Sequence, residues 1–202
     1  METGETIPYK ETPMRRLIML AVIALSIITI MLAMYENAIY TTVSAIFLLL
    51  PFTVICLTDA KYTIIPISMV AGIILIRIAV WFVDPSETLK TMLWYIISGI
   101  ICGFLFLIPS FFGKKAGGGD IVLVTAIGFA LGLVRTLFSI ALMGVIIFIL
   151  LAIKNKTEGS MFAIRAGALK EMIPFGPPMC IAAYIVILID IVCPLEQFVF
   201  GI

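Results

Sequence analysis

The sequence predicts an all-α, polytopic membrane helix bundle of about six to seven transmembrane helices, with a cytoplasmic N-terminus. Three observations predict it. Of the 202 residues, 63% are hydrophobic and 12% charged, and the mean hydropathy is +1.25; a soluble domain carries about 25% charged residues. Apolar runs of roughly 14 to 22 residues recur along the whole length, near the ~20 that cross a bilayer as a helix. Basic residues gather in alternate polar breaks between those runs.

Residues 1–16 read as a cytoplasmic N-terminal tail and 17–202 as a single membrane-embedded domain. The candidate spans are Leu17–Met34, Ile39–Leu57, Ile64–Val83, Met92–Phe112, Ile121–Val134, Thr136–Ile153 and Pro178–Cys193. The first lacks a small-residue cleavage site and is read as retained. The fifth is short and the seventh marginal in length. Joining the fifth to the sixth would give a helix of about 50 Å, too long for one crossing, so the two are kept separate. Ten of the thirteen Lys and Arg residues fall in one set of alternate segments, which include Lys10, Arg15, Arg16, Lys61, Lys114 and Lys115. The opposite set holds Lys90 and Arg135, and Arg77 lies inside a span. By the positive-inside rule the N-terminus is cytoplasmic.

Composition also limits the chemistry. Histidine is absent, which excludes a Ser-His-Asp triad, a Cys-His pair and a His-ligated zinc site. The four cysteines, Cys56, Cys102, Cys180 and Cys193, form no C-x-x-C pair and read as small core- or lipid-facing residues rather than ligands or a disulfide framework. No metal or other cofactor is expected. The net charge of +1 points to no acidic partner, so nucleic acid is not expected and membrane lipids are. Chemistry is left to carboxylates, hydroxyls, lysines and backbone.

Two carboxylates stand at the rim of hydrocarbon on the side assigned to the cytoplasm. Asp59 lies in L-T-D-A-K-Y-T-I-I-P, between the second and third spans, and Asp120 follows Gly117, Gly118 and Gly119 at the start of the fifth. Charged groups at such positions are costly, and therefore rare and often functional. As structural alternatives, Asp120 caps the fifth helix and Asp59 is a solvated loop residue. One glycine suffices for a turn, whereas three let backbone approach another group closely. Two carboxylates on one side suggest a pair sharing a water. The helix dipole favours ionised Asp120 at a helix start and disfavours ionised Asp59 after a helix end, which would make Asp120 the base and Asp59 the acid.

G-G-G-D-I-V-L-V-T-A-I-G-F-A-L-G, Gly117 to Gly132, resembles the G-x-G-D segment of the type IV prepilin peptidase and preflagellin peptidase family. Asp59 with Pro66 is similar to that family's first aspartate motif, and I-P-F-G-P-P, Ile173 to Pro178, to its late proline-glycine element. The three matches occur in the family's order. The resemblance implies a GxGD membrane aspartic endopeptidase that removes the basic leader from type IV pilin-like or archaellin-like precursors before secretion. It also implies the cell membrane of a prokaryote, with the active site facing the cytoplasm. Asp59 and Asp120 take the catalytic positions, Gly117, Gly118 and Gly119 the active-site loop, and Pro66, Pro174, Gly176 and Pro177 structural support. The paired C-x-x-C motifs of long members are absent, so their zinc site and methyltransferase activity do not carry over. Val122 stands where many members have lysine, and Lys61 where many have another polar or acidic residue.

Two other readings use the same acids. Signal-peptide-peptidase-like proteases share G-x-G-D but pair it with Tyr-Asp, whereas Thr58 precedes Asp59 here. A proton- or cation-coupled transporter would use both aspartates as ion ligands, but such proteins carry internal repeats and midplane acids. Arg77 and Asp190, counted along their helices, fall in the outer half and are expected to form an ion pair. Pro51 and Pro109 lie in the spans leading to the aspartates, where kinks would hold the active ends apart. Lys154 to Pro177 is the longest polar segment and reads as an interfacial lid or passive loop, with Lys114 and Lys115 as membrane anchors.

Overall fold

A computed structural model describes residues 24–25, 27–29, 31, 39–85, 87–111, 117–157 and 175–193. All regular structure among them is helical. Helix α1 is described in part, within residues 24–31; six further helices follow: α2 (Ile39–Tyr62), α3 (Ile67–Val83), α4 (Leu89–Phe111), α5 (Gly118–Leu131), α6 (Leu133–Thr157) and α7 (Gly176–Val192). Among the described residues, three helices are long and apolar enough to cross a bilayer, over Thr42–Tyr62, Leu89–Ile108 and Leu133–Leu150. The shorter α3, α5 and α7 are equally apolar and pack among them. Large side chains such as Phe47, Leu50, Phe82, Phe104 and Phe148 point outward and are more than half exposed. Water would oppose such a surface, and lipid hydrocarbon accepts it. The protein is a membrane helix bundle.

Helix α5 is its axis. Apolar residues lie on every side of this helix, as expected of one enclosed by others. Leu123, Val124, Ile127 and Leu131 are buried against α3, α4, α6 and α7. Gly99 and Gly103 of α4 and Gly128 of α5 let those two helices meet closely, with Thr125 against Gly103. The predicted break between the fifth and sixth spans is present, but it falls at Gly132 and not at Arg135. Gly132 separates α5 from α6 at φ +84°, a left-handed conformation that glycine adopts without the penalty of a Cβ.

Two expectations change at helix ends. Helix α2 runs past Leu57 to Tyr62, so Asp59 sits in its last turns and is 4% exposed, not a solvated loop residue. The helix stops at Thr63, whose φ of 52° ends the repeat while its N–H still reaches the Asp59 carbonyl at 2.9 Å. Pro51 lies within α2 without dividing it.

The second change concerns charge. Arg77 pairs with Glu87, not with Asp190, and its guanidinium stacks 3.6 Å from the centre of the Tyr95 ring. Asp190 instead pairs at 2.8 Å with Arg135, at the start of α6. Counting depth along isolated helices placed Arg77 and Asp190 at one level, but α5 and α6 bring a nearer cation to Asp190. Both pairs border a cavity of about 190 Å³ formed by the end of α3, the start of α4, the α5–α6 junction and the end of α7.

Candidate active site

At the other end of the bundle, α2 finishes while α5 and α7 begin, and this brings together the sequence motifs. Phe175 and Gly176 open α7 against the end of α2. The Gly176 N–H donates to Asp59 Oδ2 at 2.7 Å. Backbone N–H groups of a first helical turn have no partner within the helix and carry its positive dipole end. A buried carboxylate at that point is held by a charge-assisted bond. Gly176 also supplies the room, because a Cβ there would lie 2.9 Å from Asp59 Oδ2 and 3.1 Å from its Cβ.

Asp120 is not the cap of α5. Gly117 holds that position in extended backbone, and Asp120 is the third residue of the helix, with its own N–H bonded to the Gly117 carbonyl at 3.0 Å. Its carboxyl reaches back to the Gly117 backbone N–H, the reciprocal half of a capping box. Asp120 is half-buried at the rim, ahead of the apolar run that begins at Ile121. Burial first, and then the nearby charge of Asp59, hold its carboxyl above the usual carboxylate range, while the Gly117 bond partly offsets both. The two aspartates therefore act on each other electrostatically.

The three glycines are not equivalent. A Cβ on Gly117 would stand 2.8 Å from Asp120 Oδ2, one on Gly119 would touch Ile65 at 3.4 Å, and one on Gly118 would meet nothing within 4 Å. The contact with Ile65 seats the start of α5 on the corner between α2 and α3. Pro66 fixes that corner by opening α3, its carbonyl accepting the N–H groups of Met69 and Val70. Gly118→Ala is expected to cleave substrate at close to the wild-type rate. Gly117→Ala, by displacing the Asp120 carboxyl, is expected to lose about 10- to 100-fold. Initial rates on a single precursor check the contrast.

Sequence reasoning did not single out Phe106 and Phe175. Their rings pack edge to face with centres 5.2 Å apart, tying the start of α7 to α4. The only signal was the place of Phe175 inside the proline-glycine element. Pro177 lies in the first turn of α7, where its missing N–H costs nothing. Pro174, Lys114, Lys115 and most of the polar segment after α6 (158–174) lie outside the described residues, as does the side chain of Pro109. Among the described residues no group of three or more Cys, Asp or Glu is arranged to hold a metal ion.

A membrane bundle that brings two interacting carboxyls to one end, one fixed by a helix N-terminus, has the parts of an acid–base hydrolase. A sequence model of the type IV leader peptidase family matches residues 45–153, more than half the chain and including both aspartates. The chain belongs to that family and is a membrane peptidase. No curated protein and no solved structure matches it.

Proposed function

We propose that this protein is an aspartic endopeptidase that removes the basic leader from pilin-like or archaellin-like precursors at the cytoplasmic face of the prokaryotic cell membrane. The observation that carries this reading is the bond from the Gly176 N–H to buried Asp59 at the end of the bundle where Asp120 opens α5, near enough for the charge of Asp59 to help raise the Asp120 carboxyl. That arrangement reverses the roles that helix dipoles alone suggested, because Asp59 meets the positive start of α7 as well as the negative end of its own helix. Asp59 is the carboxylate base and Asp120 carries the proton. Asp59 takes a proton from water, the hydroxyl attacks the scissile carbonyl carbon, and Asp120 protonates the carbonyl oxygen. Asp59, now protonated, gives its proton to the leaving amine as the C–N bond breaks, and Asp120 takes back a proton from a gem-diol hydroxyl as the carboxylic acid product forms. The cytoplasmic assignment is supported by the asymmetry of lysine and arginine along the sequence.

Purified protein is incubated with a panel of pilin-like and archaellin-like precursors beside Asp59→Asn and Asp120→Asn. Each variant is expected to lose cleavage by at least about 10³-fold while remaining folded. Cleavage that survives in either variant removes that residue from the mechanism.

The pH dependence follows from the same pair. Cleavage is expected to fall as pH rises through the elevated pKa of Asp120, where the acid loses its proton. In Asp59→Asn the neighbouring charge is gone, so Asp120 is expected to titrate at lower pH than in the wild type. An infrared titration of the carboxyl stretch reads this without turnover.

A further inference from the structure

Cys56 lies three residues before Asp59 on α2, and Cys180 lies four residues after Gly176 on α7. Each spacing is close to one helical turn, so the two cysteines repeat, one turn deeper, the contact that joins Asp59 to Gly176. That register sets the two side chains opposite each other across the α2–α7 interface, where the Cys56 Sγ approaches the Pro177 carbonyl, in the first turn of α7, at 3.9 Å. Both are free thiols; Cys180 is 1% exposed, and Cys56 is half-buried. Cys102 and Cys193 lie on other parts of the bundle.

Asp59 is 4% exposed and one of its oxygens is occupied by the Gly176 N–H. Entry of a scissile peptide and a water is therefore expected to part the first turn of α7 from α2, the Gly176 bond re-forming once they are bound. A covalent bond one turn below would prevent that movement.

We propose that Cys56 and Cys180 form an oxidisable dithiol whose disulfide fastens α7 to α2 and closes the site. The functional half of this inference rests on the proteolytic reading above; the disulfide itself does not. The oxidant is a small-molecule disulfide. The more accessible Cys56 thiolate attacks one of its sulfurs, forming a mixed disulfide and expelling one thiolate. Cys180 then loses its proton and attacks Cys56 Sγ, expelling the second thiolate. Two protein thiols are oxidised to one disulfide, the reagent disulfide is reduced to two thiols, and the two protons end on those products.

The test uses the full chain in detergent with Cys102→Ala and Cys193→Ala as background, treated with dipyridyl disulfide and then dithiothreitol. Intact mass is expected to fall by two hydrogens, and peptide mapping to join Cys56 to Cys180. Precursor cleavage is expected to fall at least about tenfold and to return on reduction, with Cys56→Ser and Cys180→Ala showing neither change. The cross-link is read without a precursor, so an inactive reduced enzyme counts against the proteolytic reading alone. Failure of the Cys56–Cys180 bond to form overturns the inference, as does a bond that leaves cleavage unchanged.

Discussion

Gly176→Ala is expected to lower precursor cleavage by roughly 10- to 150-fold while the chain remains folded. The added methyl would stand 2.9 Å from Asp59 Oδ2, closer than a carbon and a carboxylate oxygen tolerate. Either the carboxylate swings away or α7 backs off, and both lengthen the 2.7 Å bond from the Gly176 N–H. A hydrogen bond to a charged group contributes about 1.5–3 kcal/mol, which sets that range of rate. The loss should appear in kcat more than in KM, since the bond orients the base and does not hold the leader. Gly144→Ala on α6 is the control, because a Cβ there meets nothing within 4 Å. Equal rates for the two variants would show that the Gly176 contact does not position Asp59.

Asp190→Ala is expected to give the largest loss of stability. The Arg135–Asp190 pair, at 2.8 Å, has side-chain exposures of 22% and 7% in a largely apolar bundle. Removing the carboxylate leaves a guanidinium with its nearest counter-charge gone. Breaking a buried pair from one side costs about 3–5 kcal/mol, whereas removing both partners costs much less than the two losses added. A double-mutant cycle in detergent should therefore show a coupling of about 0.5–3 kcal/mol between Arg135 and Asp190. The Arg77–Asp190 cycle should be closer to additive, because Arg77 is held by Glu87 and stacked on Tyr95. Cleavage by the Asp190 variant, assayed below its melting temperature, should stay near wild type, since these residues lie at the bundle end opposite the aspartates.

The contrast between these two ends shows where sequence sufficed. Membrane class, most span limits and the existence of a break between the fifth and sixth spans were legible because hydropathy and run length act locally, whereas the place of that break, at Gly132 and not at Arg135, was not. Asp59, Asp120 and the glycine loop stood out as a candidate site because a charge at the rim of hydrocarbon is costly enough to be seen in one dimension. That Gly118, unlike Gly117 and Gly119, faces open space was not legible, since the sequence presents the three glycines alike.

Pairings between helices were not legible. Arg77 and Asp190 looked like partners because both are isolated intramembrane charges, yet Glu87 and Arg135 are closer once the helices are packed. Helix dipoles read one at a time assigned the base to Asp120, because nothing local to Asp59 announces the start of another helix more than a hundred residues later. By itself the sequence determined the solvent, the helices and the acids, since each follows from what a short segment costs in lipid. The tertiary structure alone decided that Gly176 holds Asp59, that Asp120 feels its charge, and that Cys56 faces Cys180. Those facts depend on distances between segments, and electrostatics and hydrogen bonds fall away too steeply for chain order to reveal them.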